Sequence, residues 1–129
     1  MSKSCACLDN VVGNAATCEF TVAETHTAIA LGSGSVNVLA TPMAITWSEA
    51  ATIAAISPAI CSNCTTVGYK IEFSHLSPSL VGELVHSKAL VESVSGDRIV
   101  FAVELSSAQA PVGKGKITRV RVDRRTWPN

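Results

Sequence analysis

Apolar positions along this chain change their spacing twice. Residues 17–22 alternate weakly around Phe20 and Val22, as a short strand does, and residues 27–31 form a second short apolar run. Gly32-Ser-Gly-Ser35 reads as a loop, followed by Val36-Asn-Val-Leu-Ala40. Thr41-Pro42 then combines a capping hydroxyl with proline at the first helical position, which predicts a helix over residues 42–57. Pro58 ends it, because the residue before a proline disfavours helical geometry. The helix is rich in alanine (Ala44, Ala50, Ala51, Ala54 and Ala55) and apolar nearly all round, so it should be buried nearly all round.

After the helix the period becomes two. Residues 66–75 alternate, with Val67, Tyr69, Ile71, Phe73 and His75 expected on one face and Gly68, Lys70, Glu72 and Ser74 on the other. Residues 83–94, 98–105 and 113–121 are further strand candidates, punctuated by Ser95-Gly96-Asp97 and Pro111. Short strands, one long helix and a meander, without βαβ alternation, define an α+β domain with a largely antiparallel sheet wrapped around a central helix. Residues 1–15 read as a flexible arm and 16–129 as one domain.

Charge narrows the function classes. Ten basic residues balance ten acidic ones, so nucleic acid and anionic membranes are not expected partners. The apolar stretch over residues 40–60 carries Glu49 at its centre, which argues against a membrane span. The N-terminus lacks the apolar core of a secretory signal, and the expected location is cytoplasmic. The last fourteen residues hold a basic strip, Lys116, Arg119, Arg121, Arg124 and Arg125, against Asp123 alone. Such a strip suits a phosphate-bearing ligand or, more commonly, a solvated strand edge. Five cysteines, an odd number, point to reduced thiols. Cys61-Ser-Asn-Cys64 has the spacing of half a zinc site, but Cys5-Ala-Cys7 is an unusual second half. Thiols without metal are the favoured reading, and no cofactor is expected.

Glu49 is the only Asp, Glu, Lys or Arg between Glu24 and Lys70. A carboxylate on an apolar helix is costly to keep charged unless a cation or donor compensates. It either serves chemistry or pairs structurally with a basic strand residue such as Arg119. With Thr41 at the helix start and His75 on an apolar strand face, it supplies the parts of a general-base hydrolytic site. His75 alone could equally bond the turn that follows it. Thr41 and Glu49 are about 12 Å apart along the axis, at roughly 1.5 Å per residue. They therefore need His75 as a bridge, or a second protomer. Gly68 interrupts a strand of branched and aromatic residues, as close backbone approach or a bulge requires.

The joint spacing of Thr41, Glu49, Gly68, His75 and Arg119 resembles that of hot-dog-fold acyl-CoA thioesterases, in the fluoroacetyl-CoA thioesterase-like branch. The resembling segments are Val38-Leu-Ala-Thr-Pro-Met-Ala-Ile-Thr-Trp-Ser-Glu49, Thr66-Val-Gly-Tyr-Lys-Ile-Glu-Phe-Ser-His75 and Gly113-Lys-Gly-Lys-Ile-Thr-Arg119, within residues 17–123. The resemblance implies a homodimer with active sites at the subunit interface, acting on an acyl-CoA. It implies catalytic roles for Thr41, Glu49 and His75, and puts Gly68 and Arg119 near the acyl group. The fluoroacetate-specific enzyme has an aromatic lid before its threonine, whereas residues 32–38 here contain no Phe, Tyr or Trp. Thioester chemistry is thus implied without fluoroacetyl selectivity. The alternative is a hot-dog module that binds an acyl-CoA without cleaving it.

Overall fold

A computed structural model describes residues 6–129. Strand β1 (Ala15–Thr21) leads through a short helix α1 (Ala28–Leu31) to the long helix α2 (Thr41–Ile56). Four strands follow: β2 (Cys64–His75), β3 (Leu84–Ser95), β4 (Arg98–Ser106) and β5 (Pro111–Asp123). All pair antiparallel in one sheet of order β1-β3-β4-β5-β2, so β2 is a free edge. The sheet curls around α2, and β3 and β4 alternate buried and exposed residues as a one-faced sheet should.

The core lies between sheet and helix. Ala51, Ala55 and Ile56 of α2 meet Ala89, Val91, Ile99, Phe101, Val103 and Ile117. Toward the other end, Ala44 and Trp47 meet Val22, Leu39, Val85, Leu105 and Val112. Trp47 also stacks on Phe20, with ring centroids 4.8 Å apart. The alanines let the sheet approach closely. Buried polar side chains on the helix are satisfied locally: Ser48 Oγ donates to the Ala44 carbonyl, and Thr52 Oγ1 to that of Glu49.

Three expectations change. First, α2 is not enclosed all round in one chain: Thr46 and Ile53 remain exposed on the side toward β2. Second, the expected N-terminal arm packs where it is described. Leu8 and Val11 are buried in the core, Gly13 donates its backbone N–H to Val91, and β1 begins at Ala15. Residues 1–5, including Cys5, lie outside the described residues.

The third change decides the site. Strand β2 carries a bulge: Gly68 pairs with Arg119 and Lys70 with Thr118, leaving Tyr69 as the extra residue. The bulge reverses the alternation. Gly68 therefore shares the helix-facing side with Ile71, Phe73 and His75, while Tyr69 points away. Glycine is needed again opposite Phe73 and His75, since a Cβ on Gly113 would collide with the Phe73 ring.

Candidate active site

Thr41 is the first residue of α2, and Ala40 rather than Thr41 occupies the N-cap position. The Ala40 carbonyl accepts the N–H groups of Met43 and Ala44. Released from capping, the Thr41 hydroxyl lies 2.7 Å from Nδ1 of His75, the last residue of β2. His75 Nε2 is buried and has no hydrogen-bond partner among the described residues. Burial pushes the imidazole pKa below its usual value, partly offset by the Ser77 backbone. A neutral imidazole facing a hydroxyl is a proton acceptor in place.

Glu49 lies two turns further along α2 and does not reach His75 within the chain. Its Oε2 instead accepts from Arg119 Nη1 at 3.1 Å. Arg119 is held on its other edge by Thr66: Nε donates to Thr66 Oγ1 at 2.8 Å and Nη2 to the Thr66 carbonyl at 2.9 Å. Burial lowers the Arg119 pKa, and the Glu49 charge and hydrogen bond oppose that shift. The Arg119 side chain is only 7% exposed against 30% for Glu49, so the carboxylate is the open end of the pair. A Cβ on Gly68 would sit 2.7 Å from Glu49 Oε2. Glycine at this position makes room for the carboxylate.

One chain thus brings together two separate clusters, Thr41 with His75 and Glu49 with Arg119 beside Gly68. Pairing of Glu49 with Arg119, the structural role considered from sequence, is present. Thr66 was not singled out from sequence. Its signal is a hydroxyl two residues before Gly68, on the same strand face. Besides Arg119, three of the five side chains in the basic strip are paired with acids. Arg121 is paired with Asp97, Lys116 with Glu92, and Arg125 with Asp123, whose carboxyl that hydrogen-bonded pair holds well below its ordinary value. Arg119 faces the helix instead. His86 pairs with Glu19 at the surface, and His26 packs edge-on against Trp47. Among the described residues no group of three or more His, Cys, Asp or Glu side chains is placed to hold a metal ion.

A helix enclosed by one antiparallel sheet is the hot-dog architecture, and the comparisons put this chain among the thioester hydrolases that use it. Residues 6–125 match the family model described as fluoroacetyl-CoA-specific thioesterase, and the chain belongs to that family. Among curated proteins none matches. The crystal structure of the fluoroacetyl-CoA thioesterase FlK superposes with a TM-score of 0.84 at 23% identity, over 88% of this chain and 89% of that one. A point mutant of that enzyme, in complex with fluoroacetate and CoA, gives 0.83 at 24% identity, over 88% and 96% of the two chains. A Thermus thermophilus thioesterase superfamily member gives 0.79 at 25% identity, over 88% and 85%.

Proposed function

We propose that this enzyme hydrolyses an acyl-CoA thioester to the free acid and CoA at sites shared between the two subunits of a homodimer. The observation that carries the reading is the 2.7 Å contact between Thr41 Oγ1 and His75 Nδ1. His75 takes the proton of the attacking oxygen, either that of Thr41 or of a water held by Thr41. It returns that proton to the departing CoA sulfur. Where Thr41 attacks, a water activated by His75 then cleaves the acyl-threonine ester and restores the hydroxyl. By either route one water is consumed, and one acid and one thiol are released. A stoichiometric burst of thiol together with an acyl adduct located on Thr41 by mass spectrometry identifies Thr41 as the nucleophile. The amide end of α2 next to Thr41 favours the negative charge that develops on the carbonyl oxygen.

Glu49 reaches this pair in trans. Edge strand β2 is long, and Tyr69, Ile71 and Ile53 leave apolar surface exposed along it and the adjoining helix face. Antiparallel pairing of β2 with its copy joins two five-stranded sheets and covers that surface. With the two-fold axis through Glu72, the Gly68–Tyr69 bulge of one chain falls opposite His75 of the other. Gly68 and His75 then share a face because of the bulge. The Glu49 carboxylate beside Gly68 is brought to the second chain's imidazole, which it orients and whose positive charge it stabilises. Gly68 and Arg119 flank the carbonyl end of the acyl group.

No helix among the described residues is long and apolar enough to cross a membrane. The compartment in this reading is the cytoplasm, in keeping with an odd number of cysteines. The test is release of free thiol from a panel of acyl-CoAs by the wild type and the Glu49→Gln protein. Turnover that falls sharply in Glu49→Gln is expected. Binding of the esters without thiol release would replace this reading with the binding module.

A further inference from the structure

The cavity next to Thr41 and His75 holds about 400 Å³. Its walls are Ala28, Val36, Val38, Leu39, Leu76 and Pro78, with Gly34 and three serines between them. No Asp, Glu, Lys or Arg of the same chain lines it. The Glu49 and Arg119 that pairing of two chains brings to His75 stand at the carbonyl end of the ester, not along these walls. A carboxylated or aminated acyl tail would meet no counter-charge along these walls and would cover their apolar side chains poorly. The size falls within the span of about 300–1,000 Å³ usual for sites that enclose a small molecule. An acetyl group would leave most of it to water.

The apolar character continues past the mouth. Leu80 is bridged to Val38 and exposed, and Ile29 and Leu31 of α1, next to Ala28, are exposed as well. The wall formed by residues 33–36 carries only small or branched side chains and lies against α1, where a Cβ on Gly34 would meet Ala28 Cβ at 3.2 Å. The loop and α1 therefore approach closely at Gly34, and a bulkier side chain at Ala28 or Ser35 would intrude on the groove they line.

We propose that the acyl group hydrolysed here is an uncharged apolar chain of medium length, from butyryl to octanoyl, seated in this cavity. Ala28 and the 33–36 loop set the chain length. The inference rests on the hydrolysis reading above and names the substrate class of that site.

The test compares kcat/KM for acetyl-, butyryl-, hexanoyl- and succinyl-CoA in the wild type, Ala28→Phe and Ser35→Phe. In the wild type, kcat/KM should rise about fourfold per buried methylene from acetyl to hexanoyl. Succinyl-CoA should fall at or below acetyl-CoA. In Ala28→Phe the hexanoyl-to-acetyl ratio should drop roughly tenfold or more, as methylenes lose their place. Ser35→Phe, on the exposed loop, should move the ratio the same way even where Ala28→Phe does not fold. Best turnover with acetyl-CoA, succinyl-CoA cleaved as well as butyryl-CoA, or an unmoved ratio in the folded variants would overturn the inference while leaving hydrolysis standing. No thiol from any ester would defeat the hydrolysis reading and this inference with it.

Discussion

Thr41 Oγ1 and His75 Nδ1 stand 2.7 Å apart although 34 residues separate them in the chain. The contact ties the first residue of the central helix to the last residue of an edge strand. It exists because Ala40, not Thr41, caps the helix, which leaves the threonine hydroxyl available.

With His75 as base, His75→Gln should lower kcat by about 10²- to 10⁴-fold with the fold retained. Near-normal turnover in a folded variant would exclude the role. Within one chain burial holds the imidazole pKa below its ordinary value of 6.5, and the partner's Glu49 carboxylate acts against that shift. Removing the carboxylate should therefore move the acid limb of kcat/KM to lower pH. In the Glu49→Gln protein, where burial acts without that carboxylate, the unfolded chain takes up this proton at a higher pH than the folded one. Stability present above pH 6.5 is therefore lost as pH falls from there through the lowered folded value. Urea unfolding at pH 7.5 and pH 5 should show a larger acid loss in Glu49→Gln than in the Glu49→Gln, His75→Gln double variant.

Gly68→Ala sets a methyl group where the Glu49 carboxylate now lies, 2.7 Å from Oε2. The carboxylate must shift away from its present position beside Arg119. The expected result is a loss of roughly tenfold or more in kcat with a native circular dichroism spectrum, since misplacing a catalytic group by about 1 Å can cost 10²-fold. Unchanged kcat would mean that the Glu49 position is not set here.

Arg119→Lys is not a conservative change. One ammonium cannot serve Thr66 Oγ1, the Thr66 carbonyl and Glu49 together as the guanidinium does. A destabilisation of about 1–3 kcal/mol is expected from the carbonyl and hydroxyl left without a donor. Equilibrium urea denaturation measures it, and a change below about 0.5 kcal/mol, the size of a neutral surface substitution, would contradict it.

The proposed β2–β2 pairing, with Glu72 on the two-fold axis, makes a geometric demand. Glu72→Cys should cross-link to itself under mild oxidation, because residues facing one another across an antiparallel pair have Cα atoms about 4.5–5.5 Å apart. A disulfide-linked dimer on a non-reducing gel, stronger than in the wild type with its own cysteines, is expected. Efficient self-cross-linking at Ser74→Cys instead would shift the register.

Much of this was legible in the residues. The helix start, its alanine face and its lone carboxylate indicated a wrapped helix, and the period-two runs located the strands within a few residues. The order β1-β3-β4-β5-β2 was not legible, because apolar alternation says which face is buried but not which strand is the neighbour. Strict alternation placed Gly68 and His75 on opposite faces. The single unpaired residue Tyr69 puts them on one, and a bulge leaves no mark in the sequence beyond the glycine beside it. Basic residues near the C-terminus looked like a ligand strip. Partners distant in sequence, Asp97 and Glu92, neutralise two of them. Leu8 and Val11 were hidden among small and polar residues, and only the open end of the core beside Ala55 and Ile56 explains their burial.

The most direct measurement mixes separately purified, folded His75→Ala and Glu49→Gln proteins, lets subunits exchange, and follows thiol release from hexanoyl-CoA. Each parent should be nearly inactive. In a site shared across the two-fold axis, half of the dimers are mixed and each keeps one intact site, so activity should return to about one quarter of the wild type. A mixture that exchanges subunits yet stays as inactive as its parents would show that Glu49 does not act on the partner's Thr41–His75 pair.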